Sequence, residues 1–130
     1  MPLLDTWVWA AYFQGGPLAE RLVPLVEGPG VATSILTLAE LADIHERSTT
    51  PRLAENAAFI ASRGPVLEIS PQAALRAGGT KWRQRRARRE MGIADAIIYE
   101  TAREHGLELV TGDSGFKGLE GVRLISTKAR

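Results

Sequence analysis

Along this chain, apolar residues come in short runs of two to four, separated by longer stretches with helical spacing. Leu3-Leu4 is a buried-strand pattern cut short by Asp5, and Trp7 to Phe13 then reads as a short helix stopped by Gly15-Gly16-Pro17. From Leu18 to Glu27 the apolar positions Leu18, Leu22, Leu25 and Val26 keep a helical period, which ends at Gly28-Pro29-Gly30. Val31 to Ser34 predicts a second strand. A helix from about Leu36 to Arg47 follows, with Leu38, Leu41, Ala42 and His45 on one face. Thr50-Pro51 is expected to open another helix, carrying Leu53, Ala57, Phe59 and Ile60, that stops at Arg63-Gly64-Pro65. Val66 to Ile69 predicts a third strand, and Ser70-Pro71 caps a helix running to about Glu90. Ile93 to His105 is the strongest helical pattern; Leu107 to Val110 and Val122 to Ile125 predict the last two strands.

Short strands alternating with helices argue for an α/β fold: a parallel sheet of four to five strands with helices on both faces. Residues 1–126 are expected to form one domain, with 127–130 a frayed tail. In such sheets ligands bind beyond the carboxyl ends of the strands, so residues just after each strand are the ones to inspect.

Composition narrows the chemistry. The chain has 130 residues, 45% of them hydrophobic, enough for a real core. It contains no cysteine, which excludes disulfides, zinc–thiolate sites and thiol catalysis. A net charge of +1 gives no global pull towards nucleic acid or membrane. No apolar run approaches the ~20 residues of a membrane span, and Met1-Pro2-Leu3-Leu4-Asp5 lacks the basic start of a signal peptide. A soluble cytoplasmic protein is expected.

Of fifteen acidic residues only four are aspartates: Asp5, Asp43, Asp95 and Asp113. Asp5 falls at the end of the first strand, where it either caps the next helix or needs a partner for its charge. Asp113 follows the fourth strand in Thr111-Gly112-Asp113-Ser114-Gly115, a turn-forming context. Asp95 lies in the first turn of its helix, where the helix dipole favours an anion. Glu40 lies in the helix after the second strand; Thr37-Leu38-Ala39-Glu40 matches a capping box, which gives it a purely structural alternative. Asp43, with Arg47 four residues on, reads as a surface pair. His45 and His105 sit on helical patterns and read as surface or half-buried side chains rather than catalysts. Carboxylates gathered on one rim either take up protons or hold a hard divalent cation, and an oxygen-only set favours Mg²⁺ or Mn²⁺. Such an ion suits phosphodiester chemistry, because it acidifies a bound water and neutralises charge on the phosphate. No Gly-rich phosphate loop is present.

Lys81 to Arg89 carries six positive charges, leaving ten basic against fifteen acidic residues elsewhere. It is either a solvated helix face or a patch for a phosphate backbone, with Lys81, Arg85, Arg86, Arg88 and Arg89 as contacts and Trp82 to stack on a base. An acidic protein could occupy it equally.

Over nearly its whole length the sequence resembles PIN-domain ribonucleases, in particular the VapC toxins of type II toxin–antitoxin modules. The resemblance rests on Leu3-Leu4-Asp5-Thr6, Thr33 to Leu41, Gly92 to Tyr99, Leu109 to Asp113 and Phe116 to Val122. It implies that Asp5, Glu40, Asp95 and Asp113 are the metal-binding and catalytic acids, with Thr111 a supporting hydroxyl beside the last. Asp5, Asp95 and Asp113 would position the metal, and Glu40 would orient the water or share the metal. It further implies an RNA substrate, a cognate antitoxin and a homodimer. One departure stands out: where many relatives carry a further acid two residues after Asp113, this chain has Gly115, which bears on a second metal. The rival readings are a phosphoryl-transfer or receiver-like domain and a non-catalytic RNA-binding module. Haloacid-dehalogenase-type phosphatases need an Asp two residues after the nucleophilic one, and here that residue is Trp7.

Overall fold

The computed structural model describes residues 1–48 and 52–127. Its elements run β1 (Leu3–Leu4), α1 (Thr6–Gln14), α2 (Pro17–Val26), β2 (Ala32–Ser34), α3 (Ile35–Glu46) and α4 (Leu53–Arg63). They continue with β3 (Val66–Leu67), α5 (Pro71–Arg86), α6 (Ile93–Glu104), β4 (Leu109–Thr111), a 3-10 turn (Ser114–Phe116) and β5 (Val122–Leu124). Thr50-Pro51 and residues 128–130 of the expected tail lie outside the described residues.

All strand pairs are parallel, in the order β3-β2-β1-β4-β5. Strand alternation sorts the core into two layers. Leu3 and Leu109 point to one side, with Ala77, Ile98, Ala102 and Phe116 from the α5–α6 half. Leu4 and Val110 point to the other, with Val8, Trp9, Leu22, Val26, Leu41 and Ile60 from α1 to α4. The expected two-sided parallel sheet is therefore what forms. Each fully buried leucine of β1 contributes roughly 1.5–3 kcal/mol, which is why a strand of two residues holds the centre of the sheet.

Three boundaries differ from the sequence reading in informative ways. Strand β3 ends at Leu67, so Glu68 and Ile69 are outside the sheet. Strand β4 runs Leu109–Thr111 rather than from Leu107, so a threonine rather than a valine is its last residue. Helix α5 stops at Arg86, four residues short of Glu90. There the Arg88 and Arg89 amides donate to the Arg85 and Gln84 carbonyls, both at 2.9 Å, with Arg88 at φ 63°. That is a Schellman stop whose left-handed residue is arginine instead of the usual glycine, so the sequence carries no signal for it.

A cleft of about 560 Å³ opens between α1, α3 and α4, walled by Ala10, Phe13, Leu38, Leu41, Leu53 and Ala57 among others. None of the four candidate acids lines it. Among the described residues, no helix is long and apolar enough to cross a membrane.

Candidate active site

Strand β1 has β2 on one side and β4 on the other, so the chain reverses its direction of sheet growth between β1 and β4. At such a switch point, the crevice beyond the strand ends is where open α/β sheets bind ligands. Asp5 follows β1 directly and Thr111 closes β4, and the two meet there.

Asp5 occupies the N-cap position of α1 but makes no side-chain cap hydrogen bond. It is 2% exposed. Thr111 Oγ1 donates to Asp5 Oδ2 at 2.7 Å, while Oδ1 is buried with no hydrogen-bond partner among the described residues. Burial pushes the Asp5 carboxyl up from 3.8 to about 7; the Thr111 bond and the Thr6 backbone N–H oppose the shift, and the charges of Asp95 and Glu40 add to it. A buried carboxylate with a bare oxygen is a costly arrangement unless something fills the gap.

The chain of contacts continues from Thr111. Its hydroxyl accepts the Asp113 amide at 3.0 Å, and Asp113 Oδ1 accepts the Gly115 amide at 2.8 Å, so Asp113 starts the 3-10 turn as its cap. Its Gly-rich context is structural as well as positioned at the rim. Trp7 packs on Gly112, where a Cβ would lie 2.3 Å from the indole ring.

Glu40 approaches from α3. Thr6 Oγ1 donates to Glu40 Oε1 at 2.7 Å, and its hydroxyl oxygen lies 2.9 Å from that of Thr37. Since Thr6 has one proton to give, Thr37 is the donor in that second contact. The capping box expected at Thr37 to Glu40 does not form: α3 is capped by Ser34, whose side chain accepts the Leu36 amide, and Thr37 is already inside the helix. An earlier helix start turned an expected cap into a buried hydroxyl.

Asp95 stands at the third position of α6, where Gly92 N donates to its Oδ2 at 3.2 Å. Burial raises its pKa, the Gly92 bond opposes the rise, and Asp113 and Glu40 add to it. Asp95 thus lies in the first turn of α6 as expected, but burial and the neighbouring acids outweigh the favourable helix terminus. Asp43 pairs with Arg47 at 3.1 Å on the surface, as expected.

At this rim the charges of Asp95 and Glu40 act on Asp5, and those of Asp113 and Glu40 act on Asp95, yet among the described residues no three acids or histidines stand close enough to hold one ion in this arrangement. The donor set still fits a hard cation: oxygen ligands only, one of them a buried carboxylate oxygen that nothing else satisfies. At Gly115 a Cβ would sit 2.1 Å from the Glu90 carbonyl oxygen. Position 115 is therefore closed by backbone, and no side chain fits there without the loop moving.

The basic segment is not one uniform face. Arg85, Arg86 and Arg88 are exposed, with Arg86 over the Trp82 ring at 4.8 Å, while Lys81 is half-buried. Arg89 is half-buried too, its Nε without a partner among the described residues and its guanidinium lying over Gly118. Gln84, the one uncharged polar residue of the run, is buried. Three residues were missed by reading the sequence: Thr6, Trp7 and Gln84. The signal for Gln84 was present, since Ala73, Ala77, Thr80 and Gln84 repeat every three to four residues along the buried face of α5.

The acids stand at the central switch point of a parallel sheet, where open α/β folds bind ligands. The chain belongs to the PIN domain family, whose model matches residues 3–122. Its fold is similar to that of a toxin–antitoxin complex from Klebsiella pneumoniae, with a TM-score of 0.75 and 25% identity over 95% of this chain and 96% of that one. DNA-bound VapBC from Salmonella typhimurium is similar at TM-score 0.70 and 27% identity, over 96% and 98%. VapC20 from Mycobacterium tuberculosis, at 23% identity, TM-score 0.73 and coverage of 94% and 97%, bears on the fold alone. No curated protein matches the chain. The chain is thus a VapC-like PIN protein.

Proposed function

We propose that this protein is a Mg²⁺- or Mn²⁺-dependent endoribonuclease, the toxin of a type II toxin–antitoxin module. Membership of the PIN family and likeness to toxin–antitoxin proteins support a nuclease of this kind with an antitoxin partner. The observation that carries the metal-dependent reading is Asp5: buried at the switch point, held by Thr111 through one oxygen and bare at the other.

In this reading Asp5, Asp95 and Asp113 hold the divalent ion, and Glu40, anchored by Thr6, orients the attacking water or shares the ion. When bound, the ion would neutralise the charge that builds on the phosphodiester and acidify water. Thr111 fixes the Asp5 carboxylate in one rotamer, and Thr6 does the same for Glu40. The exposed arginines of the α5 end carry the RNA backbone, with Trp82 beside them. The protein works as a cytoplasmic homodimer that its antitoxin silences.

The test is cleavage of a structured RNA by purified protein, with Mg²⁺ or Mn²⁺ titrated against wild type and Asp5→Asn. Cleavage that requires the ion and falls by about 10²-fold or more in the variant is expected. Ion-independent cleavage, or a variant as active as wild type, would sink the reading.

A further inference from the structure

We propose that Gln84 is a positioning residue for the acid rim: its buried amide holds the turn that carries Asp113 and sets that acid against Asp95. The inference rests on the reading of the rim as a divalent-cation site.

Gln84 is 7% exposed in a segment whose cations are exposed or half-buried. Its Nε2 donates to the Gly115 carbonyl at 2.8 Å and to the Lys117 carbonyl at 3.2 Å. Both amide hydrogens therefore go to the 3-10 turn and its exit. The Gly115 residue is gripped from two sides: its N–H lies on the Asp113 carboxylate, and its C=O on Gln84. Any drift of the Gln84 amide is passed through one glycine to Asp113.

The backbone of Gln84 reaches the other way. Its carbonyl accepts the Arg89 amide at 2.9 Å and closes the turn that ends α5. Two residues beyond Glu90, whose carbonyl abuts Gly115, the Gly92 amide holds Asp95. Residues 84 to 92 thus bracket both acids, with Gln84 the side chain that ties the bracket to the Asp113 turn. The bracket has work to do, because two carboxylates on one rim repel and drift apart unless their backbones are fixed. An apolar side chain would fill the same space, but only a double donor can aim two carbonyls.

Gln84→Met keeps the volume and length and removes both donors. Mn²⁺ binding is measured by titration calorimetry on full-length wild type, Gln84→Met and Asp95→Asn, with metal-free RNA binding and thermal stability alongside. A support of this kind is worth about 10–100-fold in metal affinity, so Gln84→Met should weaken Mn²⁺ binding at least ~10-fold while its metal-free RNA affinity stays within ~2-fold. Saturating Mn²⁺ should restore most of its cleavage. Gln84→Asn, which keeps the amide but not the reach, should weaken Mn²⁺ binding likewise and serves if the methionine variant does not fold. Lower stability with unchanged Mn²⁺ affinity in these variants would make Gln84 a packing residue and overturn the proposal. A wild type that binds no Mn²⁺, or an Asp95→Asn variant that binds it equally well, would instead remove the metal-site reading, and this inference with it.

Discussion

Two buried acids in this molecule have opposite surroundings. Glu100, 8% exposed in the α5–α6 interface, has both oxygens satisfied: Thr80 donates to one at 2.6 Å and Arg76 to the other at 3.1 Å. Asp5 is more deeply buried and, among the described residues, has one hydroxyl partner and no cation in contact, with two further acids close enough to raise its pKa. Burying a carboxylate demands compensation in both places. At Glu100 the fold supplies it within the chain, as expected of a structural ion pair. At Asp5 the fold withholds it, and a proton or a cation from solution must complete the site. The contrast separates an acid whose charge the fold satisfies from one whose charge it leaves open.

The widest test of that contrast is pH. The Asp5 carboxyl moves from 3.8 to about 7 on folding. A raised pKa means the folded state holds the proton more tightly, so this contribution to stability is full below about pH 4 and lost as pH rises through about 7. At ~1.4 kcal/mol per pH unit the loss reaches a few kcal/mol. Thermal melts in a chelator should therefore show wild type losing stability from pH 5 to 8 relative to Asp5→Asn, which removes the titrating group. Added Mg²⁺ should stabilise wild type more at pH 8 than at pH 6. Parallel pH curves for the two proteins would place Asp5 in the same category as Glu100.

Next in size is Glu40→Gln. Glutamine keeps an oxygen for Thr6, so the fold and any dimer should persist, while cleavage drops ~10²-fold if the charge is used on water or metal. Activity within a few-fold of wild type would leave Glu40 as an anchor for Thr6 alone.

Glu100→Ala should act the other way. It strands the buried Thr80 hydroxyl and is expected to cost about 1–3 kcal/mol in chemical denaturation, with Mg²⁺ stabilisation unchanged. A lost metal response there would collapse the distinction between the two acids.

Smaller still is the effect of neutralising Arg85, Arg86 and Arg88. Each phosphate contact removed should lower the logarithmic salt slope of single-stranded RNA binding by ~0.7. An unchanged slope would assign these arginines to a protein partner or to solvent. The smallest effect belongs to Asp43→Asn, which breaks the surface pair with Arg47. Both side chains are about two-thirds or more exposed, so ~0.3–0.5 kcal/mol is expected and metal binding should not change.

Much of this was legible in the residues. The alternation of short apolar runs with helical spacing predicts the parallel sheet and its two covered faces, because strand and helix periods are local properties of the chain. The position of Asp5, directly after the first apolar run, by itself marks it as an acid at a strand end. Less legible was the reach of local signals across an element boundary. Thr37 to Glu40 has the letters of a capping box, but Ser34 starts the helix earlier and leaves Thr37 buried against Thr6. The end of α5 at Arg86 was hidden because arginine takes the left-handed position there.

The sequence alone determined which elements form, the two faces of the core and the absence of thiol chemistry, since these depend on periodicity and composition. Tertiary structure alone decided that Thr111 meets Asp5, that Thr6 holds Glu40, that Gln84 grips the Asp113 turn and that Glu90 closes position 115. The first three contacts join residues 31 to 106 positions apart, and the meeting of Glu90 with Gly115 is likewise made by packing. No local pattern encodes which distant hydroxyl or carbonyl a side chain will find; that is set when the strands take their order and the helices settle on the sheet.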